Sequence, residues 1–136
     1  MHTHTTHFRV RYALTDQMGY LYYGHYAMLY EVGRTEMLRD LGLTYAEMES
    51  QQGVMMPVMS MDMRFVRPAR YDELLKIQTE LLELPGQTIS FRMRVYNEAD
   101  ELVNGGRVKL CFVDMKTQER VNAPANLVEK LKPYFE

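Results

Sequence analysis

The chain has 136 residues, 46% hydrophobic and 25% charged, enough to bury the core of one domain (1–136) and too few for two. A net charge of -2 argues against a basic nucleic-acid surface, and no segment reaches the roughly 20 apolar residues of a membrane span. One cysteine, Cys111, excludes an internal disulfide framework and fits a reducing cytoplasm, and the opening MHTHTTHFRV lacks the apolar stretch of a signal peptide.

In chain order, Phe8 to Leu14 alternates polar and apolar residues and reads as a strand. Thr15 to Gly19 breaks that pattern, and Gly19 is free to turn the chain with a positive φ. From about Gly24 to Leu41 the period becomes helical. Tyr26, Leu29, Tyr30, Gly33, Met37 and Leu41 share one face, with Glu31, Thr35 and Arg39 opposite. A further helical turn or two is expected over Tyr45 to Gln51, ended by Gly53. After Pro57 three alternating segments follow: Met59 to Val66, Leu75 to Leu81, and Ile89 to Val95 beyond a Pro85-Gly86 turn. A last strand over Leu102 to Val113 is expected to bulge or bend at Gly105-Gly106, and Asn126 to Lys132 reads as a short closing helix. One long helix among five long strands implies an α+β domain with its sheet wrapped on that helix. A single helix cannot cover every apolar strand face, so a dimer or higher assembly is expected.

The chemistry concentrates between the first strand and the helix. Asp16 stands on a bend beside the helix N-terminus, where N–H groups at Tyr23, Gly24 and His25 lack intrahelical acceptors. That pairing suits acyl transfer, in which charge develops on a carbonyl oxygen. Asp16 could attack the carbonyl or deprotonate a water, or it could simply cap its own turn.

The stretch RVRYALTDQMGYLYYGHYAMLYEVGRTEMLRDLGL resembles the signature of the 4-hydroxybenzoyl-CoA thioesterase family. It is most similar to the branch of small bacterial acyl-CoA thioesterases that includes the Tol–Pal-associated enzymes. The later FVRPARYDELLKIQT and the Val113-Asp114 pair extend the likeness over nearly the whole chain. The resemblance implies a hot-dog fold, an antiparallel five-stranded sheet around a long central helix, and hydrolysis of a small or medium acyl-CoA without metal or cofactor. It maps the catalytic carboxylate onto Asp16 and the carbonyl-polarising N–H groups onto Tyr23 and Gly24. It also implies an active site at the interface of a homodimer, often paired into a homotetramer. An acyl-carrier-protein thioesterase and a non-catalytic acyl-CoA-binding protein are the alternatives on the same fold.

Two positions depart from the pattern. Many members of the nearest branch carry histidine where this chain has Tyr23, so help with a proton could come only from His25, which reads more simply as a polar residue at the helix start. The turn Pro85 to Thr88 carries none of the charge that some members use to hold CoA phosphates, leaving Arg64, Arg67 and Arg70 as candidates. Val58, Met59 and Met61 are expected to line the acyl pocket. The 12 methionines read more simply as core filler than as a pocket for varied apolar ligands. Glu31 reads as a surface partner of Arg34 or Thr35, Cys111 as a structural thiol, and His2, His4 and His7 as part of a disordered terminus.

Overall fold

The computed structural model describes residues 1–136. In chain order the strands are β1 (His2–Arg9), β2 (Val54–Met55), β3 (Val58–Phe65), β4 (Leu74–Leu81), β5 (Thr88–Tyr96), β6 (Leu102–Asp114) and β7 (Arg120–Val121). The helices are α1 (Tyr26–Asp40), α2 (Tyr45–Gln52) and α3 (Ala125–Leu131), with single 3-10 turns at Tyr12–Leu14, Tyr23–His25 and Lys132–Tyr134.

The α+β expectation holds, but the antiparallel sheet has seven strands rather than five. Five are long and lie in the order β1-β4-β5-β6-β3; the two-residue β2 and β7 each pair with the far end of β6. The strand expected over Phe8 to Leu14 is displaced. Its polar forerunner His2–Arg9 pairs along its whole length with β4, while Tyr12–Leu14 curls into a 3-10 turn. The histidines expected to be disordered therefore lie in an edge strand. Composition misleads here because β1 needs only one covered face, and His2, His4, Thr6 and Phe8 supply it. Likewise β6 runs unbroken through Gly105-Gly106; the irregular pairings fall between Val58 and Ser60 and between Val95 and Tyr96.

The helical face read from the sequence is buried, and Arg34 and Leu38 join it. It packs on β4 and β5 so closely that a Cβ on Gly33 would lie 2.8 Å from Met93 Cε and 2.9 Å from Ile77 Cγ2. Met93 and Ile77 thus face the helix, and their neighbours Arg92, Arg94 and Gln78 face the other way. Met37, Met48 and Met93 sit in the core, whereas Met1, Met18, Met59 and Met115 are exposed, so the core reading holds for part of the methionines only. Gly106 has a different task. A Cβ there would run into the backbone carbonyl of Asp62 and come within 2.8 Å of Tyr30 Oη, so only glycine lets β3 and β6 close beneath α1. The Tyr30 hydroxyl donates to Asn104 on β6, and burial raises its pKa. No helix is long and apolar enough to cross a membrane.

His2 gives β1 a pH dependence. Its side chain is buried, its ring lies 4.1 Å from the Tyr134 ring, and Nε2 has no partner. Burial lowers its pKa below the ordinary 6.5, against an opposing pull from Asp40. A depressed folded-state pKa means the unfolded chain binds the proton more readily, so stability is complete above 6.5 and falls as the pH drops beneath it. Urea unfolding at successive pH values should show this loss in the wild type and a flatter profile in His2→Phe. Parallel profiles would exclude His2 as the source.

Candidate active site

Asp16 opens a tight loop that closes at Tyr20. Its N–H bonds Tyr20 O at 2.8 Å, Gly19 N–H returns to Asp16 O at 3.0 Å, and Gly19 takes φ 78°, which favours glycine. Isolated bridges join Thr15 to Leu21 and Tyr20 to Arg70, tying the loop to the segment that follows β3. Within the loop, Asp16 Oδ1 accepts from Met18 N–H at 2.9 Å and Tyr20 N–H at 3.2 Å. The turn-capping reading is therefore correct, and it uses one oxygen only. Oδ2 accepts no hydrogen bond from the protein, and no cation lies within ion-pair range of the carboxylate.

The loop delivers Asp16 to a cleft of about 340 Å³, shared with Met18, Tyr20, Leu21, Tyr23, Tyr26, Phe65, Val66, Arg67 and Pro68. Its walls are mostly apolar. Tyr26 is buried, with burial pushing its pKa up to about 12, so it stays a neutral phenol. Phe65 meets Tyr23 and Tyr26 edge-on, at 6.3 and 5.5 Å between ring centroids. The cleft is open where Met18, Tyr23, Phe65 and Val66 remain exposed.

The 3-10 turn Tyr23–His25 leads directly into α1. His25 N–H bonds Tyr22 O at 3.0 Å, whereas the N–H groups of Tyr23 and Gly24 donate to no backbone acceptor. These are donors that a helix start leaves free for a ligand. A Cβ at Gly24 would press on the Tyr22 ring, with Cε2 only 2.6 Å away. His25 is half-buried, packs edge-on to Tyr22 at 5.6 Å and is not among the cleft residues.

The remaining candidates are scattered. Arg67 lines the cleft but pairs with Glu101 at 3.2 Å, and Arg70 lies 5.0 Å over the Tyr20 ring. Arg64 faces away, into a groove on the outer side of the sheet. Val58, Met59 and Met61 occupy the start of β3, whereas the cleft takes its end, so none of them lines it within this chain. Glu31 is exposed on α1, and Cys111 is buried in β6. Sequence reading missed Met18, Tyr20, Leu21, Tyr26, Phe65, Val66 and Pro68 as cleft residues. Only closeness along the chain to Asp16, Tyr23 and Arg67 hinted at them.

Residues 10–131 match the thioesterase-like superfamily. The chain belongs to that superfamily. The resemblance seen in the Thr15-Asp16 region therefore holds for the chain as a whole. YneP of Bacillus subtilis, a candidate acyl-CoA thioesterase, is 37% identical over 102 residues, covering 75% of this chain and 73% of its own. The acyl-CoA thioester hydrolase YbgC of Escherichia coli is 32% identical over 124 residues, 91% of this chain and 92% of its own. Among solved structures, a DHNA-CoA thioesterase from Staphylococcus aureus superposes with a TM-score of 0.83 at 29% identity, over 98% of this chain and 83% of that one. A mutant 4-hydroxybenzoyl-CoA thioesterase complexed with 4-hydroxybenzoyl-CoA shares the fold, with a TM-score of 0.84 at 20% identity over 94% and 97%. The hot-dog thioesterase architecture is thus common to this chain and the two solved structures.

Proposed function

We propose that this protein hydrolyses a small or medium acyl-CoA thioester to the free acid and CoA, with Asp16 as the reacting carboxylate. The observation that carries the reading is the division of labour at Asp16. Two backbone N–H groups fix Oδ1 and Oδ2 accepts none, while Asp16 shares a cleft with Tyr23, in the turn whose Tyr23 and Gly24 N–H groups have no backbone acceptor. As a base, Oδ2 takes a proton from water while the resulting hydroxide attacks the thioester carbon. The tetrahedral oxyanion is held by Tyr23 and Gly24 N–H; the C–S bond then breaks and the thiolate recovers the proton. As a nucleophile, the same oxygen forms an acyl anhydride as CoA leaves, and water cleaves it. Both routes regenerate the carboxylate, and neither needs a metal or a cofactor beyond the CoA carried by the substrate.

The names of YneP, YbgC and the Staphylococcus enzyme support a CoA thioester as the substrate class. The open cleft supports a homodimer or homotetramer. The edge of β3 away from β6 has no partner in the chain, and Val58, Met59, Phe65 and Val66 are exposed along it. Antiparallel pairing of two copies on that edge would bring the start of one β3, with Val58, Met59 and Met61, to the end of the other and to its Asp16 cleft. Those three residues would then line the acyl pocket across the interface.

The oxyanion role rests on main chain, so Tyr23→Phe is expected to leave kcat close to wild type. A large loss would move the role to the Tyr23 hydroxyl. The reaction itself is tested by offering one acyl group as a CoA thioester and as an oxygen ester of similar size. Faster cleavage of the thioester is expected; preference for the oxygen ester would reject the assignment.

A further inference from the structure

We infer that the outer face of the sheet carries a phosphate-binding groove, with Arg64, Arg92, Arg94 and Arg107 as its cations, that holds the nucleotide end of the substrate. The inference rests on reading the Asp16 cleft as a CoA-thioester site.

Strand register assembles the groove. Arg64 on β3 and Arg94 on β5 flank Gly105 on β6 from either side, and the next row sets Arg92 beside Arg107 with Asp62 beyond it. All face away from α1. Because Gly105 has no side chain, the row is hollow at its middle, and a groove of about 360 Å³ opens there between the guanidinium groups. Four guanidinium groups meet only two carboxylates, Asp62 and Glu80, on a protein whose net charge is -2. Glu80 is nearly buried and binds both Arg92 and Arg94, fixing their forks side by side. Arg64 and Arg107 have no carboxylate within 4.0 Å, and Arg92 Nε is buried without a partner. Like charges held together around a hollow raise each other's energy, and a phosphate relieves that strain through bidentate N–H donation.

The position selects the occupant. Val66, at the end of β3, lines both this groove and the Asp16 cleft. A ligand with a reactive thioester at one end and phosphates at the other can run past Val66 and engage both. The uncharged Pro85–Thr88 turn then needs no phosphate role. Arg67 and Arg70, occupied by Glu101 and Tyr20, need none either.

The test avoids Arg92 and Arg94, since their removal would strand the buried Glu80 carboxylate. The variants are the double substitution Arg64→Gln/Arg107→Gln and, separately, Gly105→Glu. A Cβ at Gly105 meets only Met93 O, at 3.6 Å, so the added carboxylate enters the groove without disturbing the strands. Adenosine bisphosphate, the nucleotide end of CoA, is titrated by calorimetry into the full-length wild type and each variant. Kinetics then compare an acyl-CoA with the same acyl group on a short thiol lacking the nucleotide. Wild type should bind the nucleotide more weakly as salt rises, and each variant should lose about tenfold in affinity and in preference for the CoA ester. Nucleotide binding that is absent in the wild type, or equal in all three proteins, would overturn the groove. If thioesters are cleaved with unchanged CoA preference in both variants, the groove fails and the Asp16 site stands. If the nucleotide binds in a groove-dependent way and no thioester is cleaved, the groove stands and the Asp16 reading fails.

Discussion

Asp16→Asn should lower kcat for the best acyl-CoA roughly a thousandfold, within the range that general-base or nucleophilic carboxylates contribute. The expected KM change is small, because the cleft walls are untouched. The substitution is informative because asparagine keeps an Oδ1 acceptor. Met18 and Tyr20 N–H groups, now bonded at 2.9 and 3.2 Å, retain their partner, and the loop keeps its shape. What is lost is the charge and basicity of the second oxygen. Asp16→Ala removes both functions and should also cost about 1 kcal/mol in stability through the two abandoned N–H groups. If Asp16 were only a turn cap, the two variants would part: the asparagine variant would turn over near-normally and only the alanine variant would suffer. Single-turnover kinetics and urea unfolding on the two variants separate these outcomes.

Gly106→Ala should be the most destabilising conservative change in the chain, at about 3 kcal/mol. The added methyl meets the Asp62 carbonyl, which belongs to strand backbone and cannot rotate aside, and it crowds the buried Tyr30 hydroxyl. Relief would require β3 to move off β6, breaking the pairing that carries Phe65 to the cleft. Its neighbour is the control. At Gly105 the same methyl finds only Met93 O at 3.6 Å, an ordinary contact, so Gly105→Ala should shift stability by less than about 0.5 kcal/mol. Urea midpoints measured side by side should differ clearly; equal midpoints would show that β3 has freedom the packing does not suggest.

These two glycines also show how far the sequence could be read. A Gly-Gly pair in a strand suggested a bulge or bend, yet β6 keeps regular register with both neighbours there. One glycine permits close approach on the inner face and the other leaves a hollow on the outer face, a distinction that depends on what crosses above each. The helical face of α1 was legible because seven-residue spacing needs no partner to interpret it, and every residue assigned to that face is buried. β1 was not legible, since a His/Thr run has no apolar signal and gains its place only by pairing with β4. At the site, the Thr15-Asp16 and Gly19 spacing marked the loop correctly. The three arginines read from one short segment proved to occupy three different environments. Arg92, Arg94 and Arg107 drew no notice because they lie in ordinary alternating strands, and only strand register places them beside Arg64.

The measurement closest to the central claim follows free thiol release and equilibrium binding together, on the purified protein, across acyl-CoAs of graded chain length and aromaticity. Hydrolysis at Asp16 requires at least one member to release CoA at a kcat/KM of about 10⁴ M⁻¹s⁻¹ or more, as ordinary enzymes do. Tight binding of acyl-CoAs with no thiol released from any of them would contradict the account and leave the cleft as a binding site alone.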